Sequence, residues 1–177
     1  MLGTDLAGLA AGPFVAACSL LVIAGAGKIG HPGATREAVL AAGGNVPTVA
    51  VSVFGGIEIG AGIAGIGFGR GAALAVAGVY LVLSGFAFRL VRRAPTTPCA
   101  CLGSTKAPAS RVHVFVDLAA VAVAIAATSG GTPLAGLGSR PFATVLFVAL
   151  VACGVQLVAL AFDSLSALDR AVKEGAS

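Results

Sequence analysis

Residues 89–117 read RLVRRAPTTPCACLGSTKAPASRVHVFVD, running from Arg89 to Asp117. This is the only long interior segment that is both polar and rich in reactive side chains. Apolar segments lie on either side of it. Arg89, Arg92 and Arg93 close the upstream one. Pro95, Pro98 and Pro108 break helical structure, so the middle is an irregular, constrained loop. Ser110 is a candidate N-cap for a helix beginning at Arg111. Two of the four cysteines, Cys99 and Cys101, are here, one residue apart. The stretch predicts two membrane-crossing helices joined by a loop that carries a dithiol at the membrane face.

Composition agrees with that frame. The chain has 177 residues, only 10% of them charged, against about 25% in soluble domains. Mean hydropathy is +1.02 and the mass is 17.0 kDa, enough for one domain. Glycine is abundant, 26 residues, which suits close packing of helices in lipid. A secretory signal peptide does not explain the profile, because apolar segments recur to residue 162 and the first carries Asp5 rather than a positive charge before it. The prediction is an all-α integral membrane bundle of about five transmembrane helices, forming a single domain over 1–177.

Outward from the loop, the upstream span covers about Ala72 to Leu90 and the downstream span Arg111 to about Thr128, with Asp117 one to two turns inside it. Gly69-Arg70-Gly71 is a tight turn before the former. A further span runs from Pro47 to Phe68, with Glu58 near mid-membrane at about 1.5 Å per residue. A carboxylate there costs roughly 2.5–3.5 kcal/mol on insertion scales, so it is expected to face the interior and to be protonated, paired or in a wet cavity. Gly56 and Gly60, like Ala61 and Gly65, are four apart and mark faces where helices approach closely. The first span opens at Pro13, taken as a first-turn proline, and ends near Lys28 and Gly30. His31-Pro32-Gly33 reads as a turn. Thr35 to Ala42 reads as a short interfacial helix, ended by Gly43-Gly44. Pro141 opens a fifth span over 141–162, and 163–177 is a polar tail.

Charge orients the chain. The net charge is +4, with a pI near 9.2. One face collects Lys28, Arg36, Arg89, Arg92, Arg93, Lys106, Arg111, Arg170 and Lys173, and the other only Arg70 and Arg140. The bias predicts a multi-pass cell-membrane protein with its N-terminus outside and the Cys loop in the cytoplasm. No interleaving of aromatic and basic residues points to nucleic acid, and the partner of the surface is membrane lipid.

Cys99 and Cys101 can close into a small ring, which is strained and easily reduced. Arg92, Arg93, Lys106 and Arg111 lie near in sequence and would favour the thiolate. A redox dithiol and a structural pair both remain open on the residues alone. Two cysteines and His113 are too few for a closed zinc site, and no nucleotide, haem or flavin signature is present, so no metal or cofactor is expected. Lys28 is the obvious countercharge for Glu58, though the two are expected at different depths. Asp117 has Arg111 or Arg89 as candidate partners. Cys18, Cys153 and Tyr80 read as packing residues. Three functions compete: a thiol–disulfide or electron relay, a non-enzymatic assembly scaffold, and a small-molecule transporter with Glu58 in its path.

The sequence resembles the MauE family of methylamine-utilisation membrane proteins, related to DoxX. The resemblance rests on Gly27-Lys28, Pro47, Glu58-Ile59-Gly60-Ala61-Gly62, Cys99-Ala-Cys101-Leu102-Gly103, and Ser110-Arg111-Val112-His113 through Asp117. It covers a core over 12–130, with the CxC loop at 92–110. Leu102 stands where the family often has Phe, and Asp117 near where an Arg-Asn pair is common. The resemblance implies a compact helical bundle. It also implies a role in disulfide formation or electron delivery during maturation of a partner redox enzyme, with a thioredoxin-like or other redox protein as partner. Cys99 and Cys101 would then be the reacting residues, with Lys28, Glu58, Arg92, Arg93, Arg111 and Asp117 supporting them.

Overall fold

The computed structural model describes residues 2–68, 70–99 and 109–129, together with Cys153, Gly154, Leu157 and Ser164. Cys101, the rest of 100–108, the fifth span at 141–162 apart from isolated positions, and the basic residues Lys106, Arg140, Arg170 and Lys173 lie outside the described residues. Five helices are described: α1 (Leu2–Gly30), α2 (Pro32–Ala41), α3 (Thr48–Phe68), α4 (Arg70–Arg93) and α5 (Arg111–Ala127). Three of them hold segments long and apolar enough to cross a membrane, at Ala11–Gly30, Thr48–Phe68 and Gly71–Arg93. With 17 residues, α5 lies at the short end of the roughly 17–25 that span a bilayer. The protein is an all-helical membrane bundle.

The four long helices form a ring. The largest interfaces are α1 on α3 and α4 on α5, and α1–α5 and α3–α4 contacts close the circuit. The short α2 lies across one end and touches α1, α3 and α4. Each helix buries one stripe. On α1 it is Phe14, Ala17, Cys18, Leu21 and Ala24; on α3 it is Val51, Gly55, Glu58, Gly62 and Gly65. The opposite faces are apolar and open, with Val49 71% exposed, Phe115 70% and Phe68 80%. In water that surface would be an aggregation hazard; in a bilayer it is the lipid contact.

Backbone contact decides the α1–α3 interface. A side chain added at Gly25 would strike the Gly55 carbonyl, and one at Gly55 would stand 2.7 Å from the Gly25 carbonyl. At Gly62 it would stand 2.6 Å from the Cys18 carbonyl, and at Gly65 2.6 Å from the Cys18 sulfur. Gly56 and Gly60, read from sequence as a close-approach pair, instead face outward with nothing within 4 Å. The four-residue spacing misled because α3 packs in sevens, Gly55 to Gly62 and Glu58 to Gly65.

Two boundaries also differ from the sequence reading. Helix α1 begins at Leu2, so Pro13 lies inside it and removes one bond from the ladder instead of opening the first turn. Pro32 is the first residue of α2 rather than part of a turn, where its missing N–H is no loss. The end of α2 is as the two glycines suggest. Gly43 takes φ +78, its N–H reaches the Leu40 carbonyl at 2.9 Å, and the Gly44 N–H reaches the Val39 carbonyl at 2.9 Å. This is a Schellman cap, which satisfies the last carbonyls of the helix.

These contacts predict opposite outcomes for neighbouring glycines. Gly62→Val should destabilise the bundle by about 2 kcal/mol, since a backbone carbonyl must move. Gly56→Val should stay within about 0.5 kcal/mol of the native protein. Unfolding of both variants in mixed detergent micelles measures the difference, and equal losses would contradict the packing.

Candidate functional site

The polar centre of the bundle is an ion pair. Lys28 Nζ donates to Glu58 Oε1 at 2.8 Å, and the two side chains are 3% and 0% exposed. The sequence placed Glu58 inside correctly but put Lys28 at the interface, at a different depth. The helix ends explain why they meet. Lys28 stands two residues from the end of α1, yet its Cβ would be 3.2 Å from a side chain at Gly55, about two turns into α3. Helix α3 thus begins well above the level where α1 stops, and α2 fills the step. Lys28 is covered rather than left at the surface. Its ammonium also lies 5.9 Å from the centre of the Phe54 ring. The second carboxylate oxygen, Oε2, is buried and has no hydrogen-bond partner among the described residues.

Glycine makes the pair possible. Gly25 and Gly55 bring the two backbones together beside it, and the Glu58 Cβ would be only 3.2 Å from a side chain at Gly25. Bulk at either position would push the helices apart.

Asp117 is near this centre but does not join the pair. It is half-buried on α5 and lines a cavity of about 260 Å³ with His113, Tyr80 and apolar residues of α1, α4 and α5. It lies within electrostatic reach of Lys28 and Glu58. Among the described residues it makes no ion pair with Arg89 or Arg111, the partners expected from sequence. The reason is helical phase: Asp117 follows buried His113 by four residues and shares its inward face, while Arg111 is exposed. Tyr80 is buried, and its hydroxyl donates to the Ala17 carbonyl at 2.7 Å. Ser110 does occupy the N-cap position of α5, but its hydroxyl is 3.0 Å from His113 Nδ1 rather than capping a backbone N–H.

Cys99 sits at the same end of the bundle as α2. It is 0% exposed and packs with Ala38 and Ala42 of α2, Leu90 of α4, and Ala109. The sequence suggested an accessible thiol on a surface loop; this sulfur is enclosed instead. The base of the loop is tied by its own backbone, since the Ala109 N–H donates to the Thr97 carbonyl at 3.0 Å. Cys18 is buried as expected, whereas Cys153 is exposed.

The arginines are engaged on α2 and α4. Arg89 Nε donates to the Ala42 carbonyl at 2.9 Å and Arg93 Nη1 to the same oxygen at 3.3 Å. Two cations at a helix C-terminus complement its dipole. The Arg92 guanidinium stacks 4.6 Å from the centre of the Phe88 ring. No sequence signal gave the Ala42 carbonyl as the target, because a backbone acceptor leaves no mark in side-chain identity.

The buried pair makes a clear prediction. Glu58→Leu strands the Lys28 charge and should cost about 3–5 kcal/mol, whereas Lys28→Met combined with Glu58→Leu should recover most of it. Glu58→Gln, which keeps an acceptor, should fall between. A double-mutant cycle of detergent unfolding free energies checks this, and simple additivity of the two single losses would contradict the pairing.

No curated protein and no solved structure matches the chain. A family model described as methylamine utilisation protein MauE matches residues 6–130. That region holds the Lys28–Glu58 pair, Cys99, helices α2 to α5 and all of α1 but its first four residues, and the match takes in most of the sequence. The chain belongs to the MauE family.

Proposed function

We propose that this protein is a membrane thiol–disulfide relay that serves maturation of a partner redox enzyme, with Cys99 and Cys101 as the exchanging pair. The family's name points to methylamine utilisation as its setting. What carries the reading is the base of the CxC loop. The Ala109–Thr97 hydrogen bond and the packing of Ala109 beside Cys99 already hold its two ends together. A disulfide between residues 99 and 101 joins no distant elements and closes only a minimal loop, so it adds little chain-entropy stabilisation. Two thiols kept at that spacing have more to offer as an electron carrier than as a staple.

The enclosed Cys99 sulfur gives the exchange an order. A partner thiolate cannot reach an atom with no exposed surface, so the intermolecular bond forms at Cys101. Attack on the Cys101 sulfur of the oxidised pair expels Cys99 as thiolate and leaves a Cys101–partner mixed disulfide. The partner's second thiol then displaces Cys101, and two electrons and two protons have passed to the relay. The partner is a soluble protein with a dithiol, of thioredoxin-like type. Lys28, Glu58 and Asp117 form the polar interior of the bundle, and Arg89 and Arg93 hold the α2 platform. The basic residues gathered at this end favour its placement in the cytoplasm, with the N-terminus outside.

The scaffold reading has one observation in its favour, the full burial of Cys99, which a packing role would also produce. The two separate in cells. Cys99→Ser should accumulate a mixed disulfide at Cys101, seen as a reductant-sensitive adduct. Cys101→Ser should abolish maturation of the partner enzyme while leaving the melting behaviour of the bundle unchanged. Full maturation in both variants, with no adduct, would leave only the scaffold.

A further inference from the structure

A second cavity, of about 290 Å³, lies beneath α2 and between α3 and α4. Its wall is apolar except for Lys28 and Thr35. Space of that size equals the liquid volume of about ten waters, yet the wall gives them few partners. An apolar molecule is the better occupant; a cavity of about half this size accommodates benzene.

The position narrows the class. Ala50 on α3 and Val82 on α4 both line the cavity and are exposed, Val82 by 57%. The mouth therefore opens sideways, through the apolar outer surface of two membrane-spanning helices. It admits a ligand from the acyl chains, not from water. At the inner end the Lys28 ammonium stands over the Phe54 ring, and Phe54 lines the cavity. Glu58 already neutralises that cation at 2.8 Å. A carboxylate or phosphate would meet no net positive charge and would have to be desolvated, so a neutral ligand with acceptor oxygens fits better. Phe86 links the cavity to the thiol: it lines the cavity and also packs against the cluster that contains Cys99.

We propose that this cavity binds the ring of a neutral, lipid-soluble quinone, and, resting here on the relay reading above, that the quinone takes the electron pair from the Cys99–Cys101 dithiol. The step balances. Formation of the S–S bond releases two electrons and two protons, and the two ring carbonyls take them up to become the hydroxyls of a quinol. The quinol leaves by the lateral mouth into the bilayer, and the pair stands oxidised for the next dithiol partner.

The test uses the full chain in lipid nanodiscs with a photoreactive azido-naphthoquinone as probe and menadione as competitor. Label is expected on the segments 46–54 and 82–86. Ala50→Phe and Val82→Phe, at exposed positions on the mouth, should lower labelling by about tenfold or more. Val53→Phe, exposed on α3 but not in the cavity wall, should label as the native chain does, with unchanged melting for all three. Menadione should oxidise the pre-reduced pair with one quinol formed per disulfide, slowed in parallel by Ala50→Phe. Diamide, a water-soluble thiol oxidant, should oxidise that variant and the native chain at one rate. Absence of label from these segments, or label indifferent to Ala50→Phe and Val82→Phe, overturns the site. Blockable label with no quinol formed, from a pair that diamide does oxidise, overturns the electron step while leaving the relay standing. A pair that neither reagent oxidises overturns the relay and the electron step together, and labelling then decides the site alone.

Discussion

An ion pair with almost no solvent contact sets the terms for this bundle. Lys28 and Glu58 are each too costly to hold alone among acyl chains, and together they are tolerable only at hydrogen-bonding distance. That distance, 2.8 Å, fixes the depth of α1 against α3. It also requires the helices to touch, which Gly25 and Gly55 allow by meeting carbonyl against Cα. The step left above Lys28 must then be covered, and α2 covers it. One electrostatic constraint thus reaches the register of two helices, the composition of their interface and the need for a short helix lying across the end.

Helix α2 in turn depends on α4. Its last carbonyls are closed by the Gly43 turn, and the Ala42 oxygen takes bonds from both Arg89 and Arg93. Beneath this clamp Ala38 and Ala42 pack on Leu90 and Cys99. Cys99, Arg89, Arg93 and the short helix over the buried pair are therefore one piece of structure. A small helix of 10 residues has little stability of its own and is held by tertiary contacts.

Much of this was legible in the sequence. Hydropathy gave α1, α3 and α4, because a long apolar segment with so few charges has few other uses, while the fifth span lies outside the described residues. The cost of a mid-membrane carboxylate gave the inward direction of Glu58 without any structure. The partner was harder, because depth along α1 was counted as though all helices began at one plane, and the step that brings Lys28 level with Gly55 is invisible in a linear count. The glycine pair at 56 and 60 was misread for a related reason. Spacing identifies a face but not which face turns inward, and Glu58 itself was the better guide, since Gly55, Gly62 and Gly65 share its stripe. The sequence offers Arg111 and Arg89 as candidate partners for Asp117, although the four-residue step from His113 turns it toward the cavity.

The arginines show a deeper limit. A cluster of guanidinium groups beside two cysteines suggests thiolate stabilisation, and the same cluster beside a helix end suggests capping. Both readings use the same charges at the same places in the chain. The geometry commits Arg89 and Arg93 to the Ala42 carbonyl and Arg92 to the Phe88 face. Their positive field still falls on the end of the bundle where Cys99 lies, because a charge does not cease to act when its hydrogen bonds are used. Capping therefore does not compete with an electrostatic role. Bonds to a fixed carbonyl hold Arg89 and Arg93 in place, while their exposure leaves them screened by salt like other surface charges. Helix capping fixes where that charge stands, at the end of the bundle that also holds Cys99.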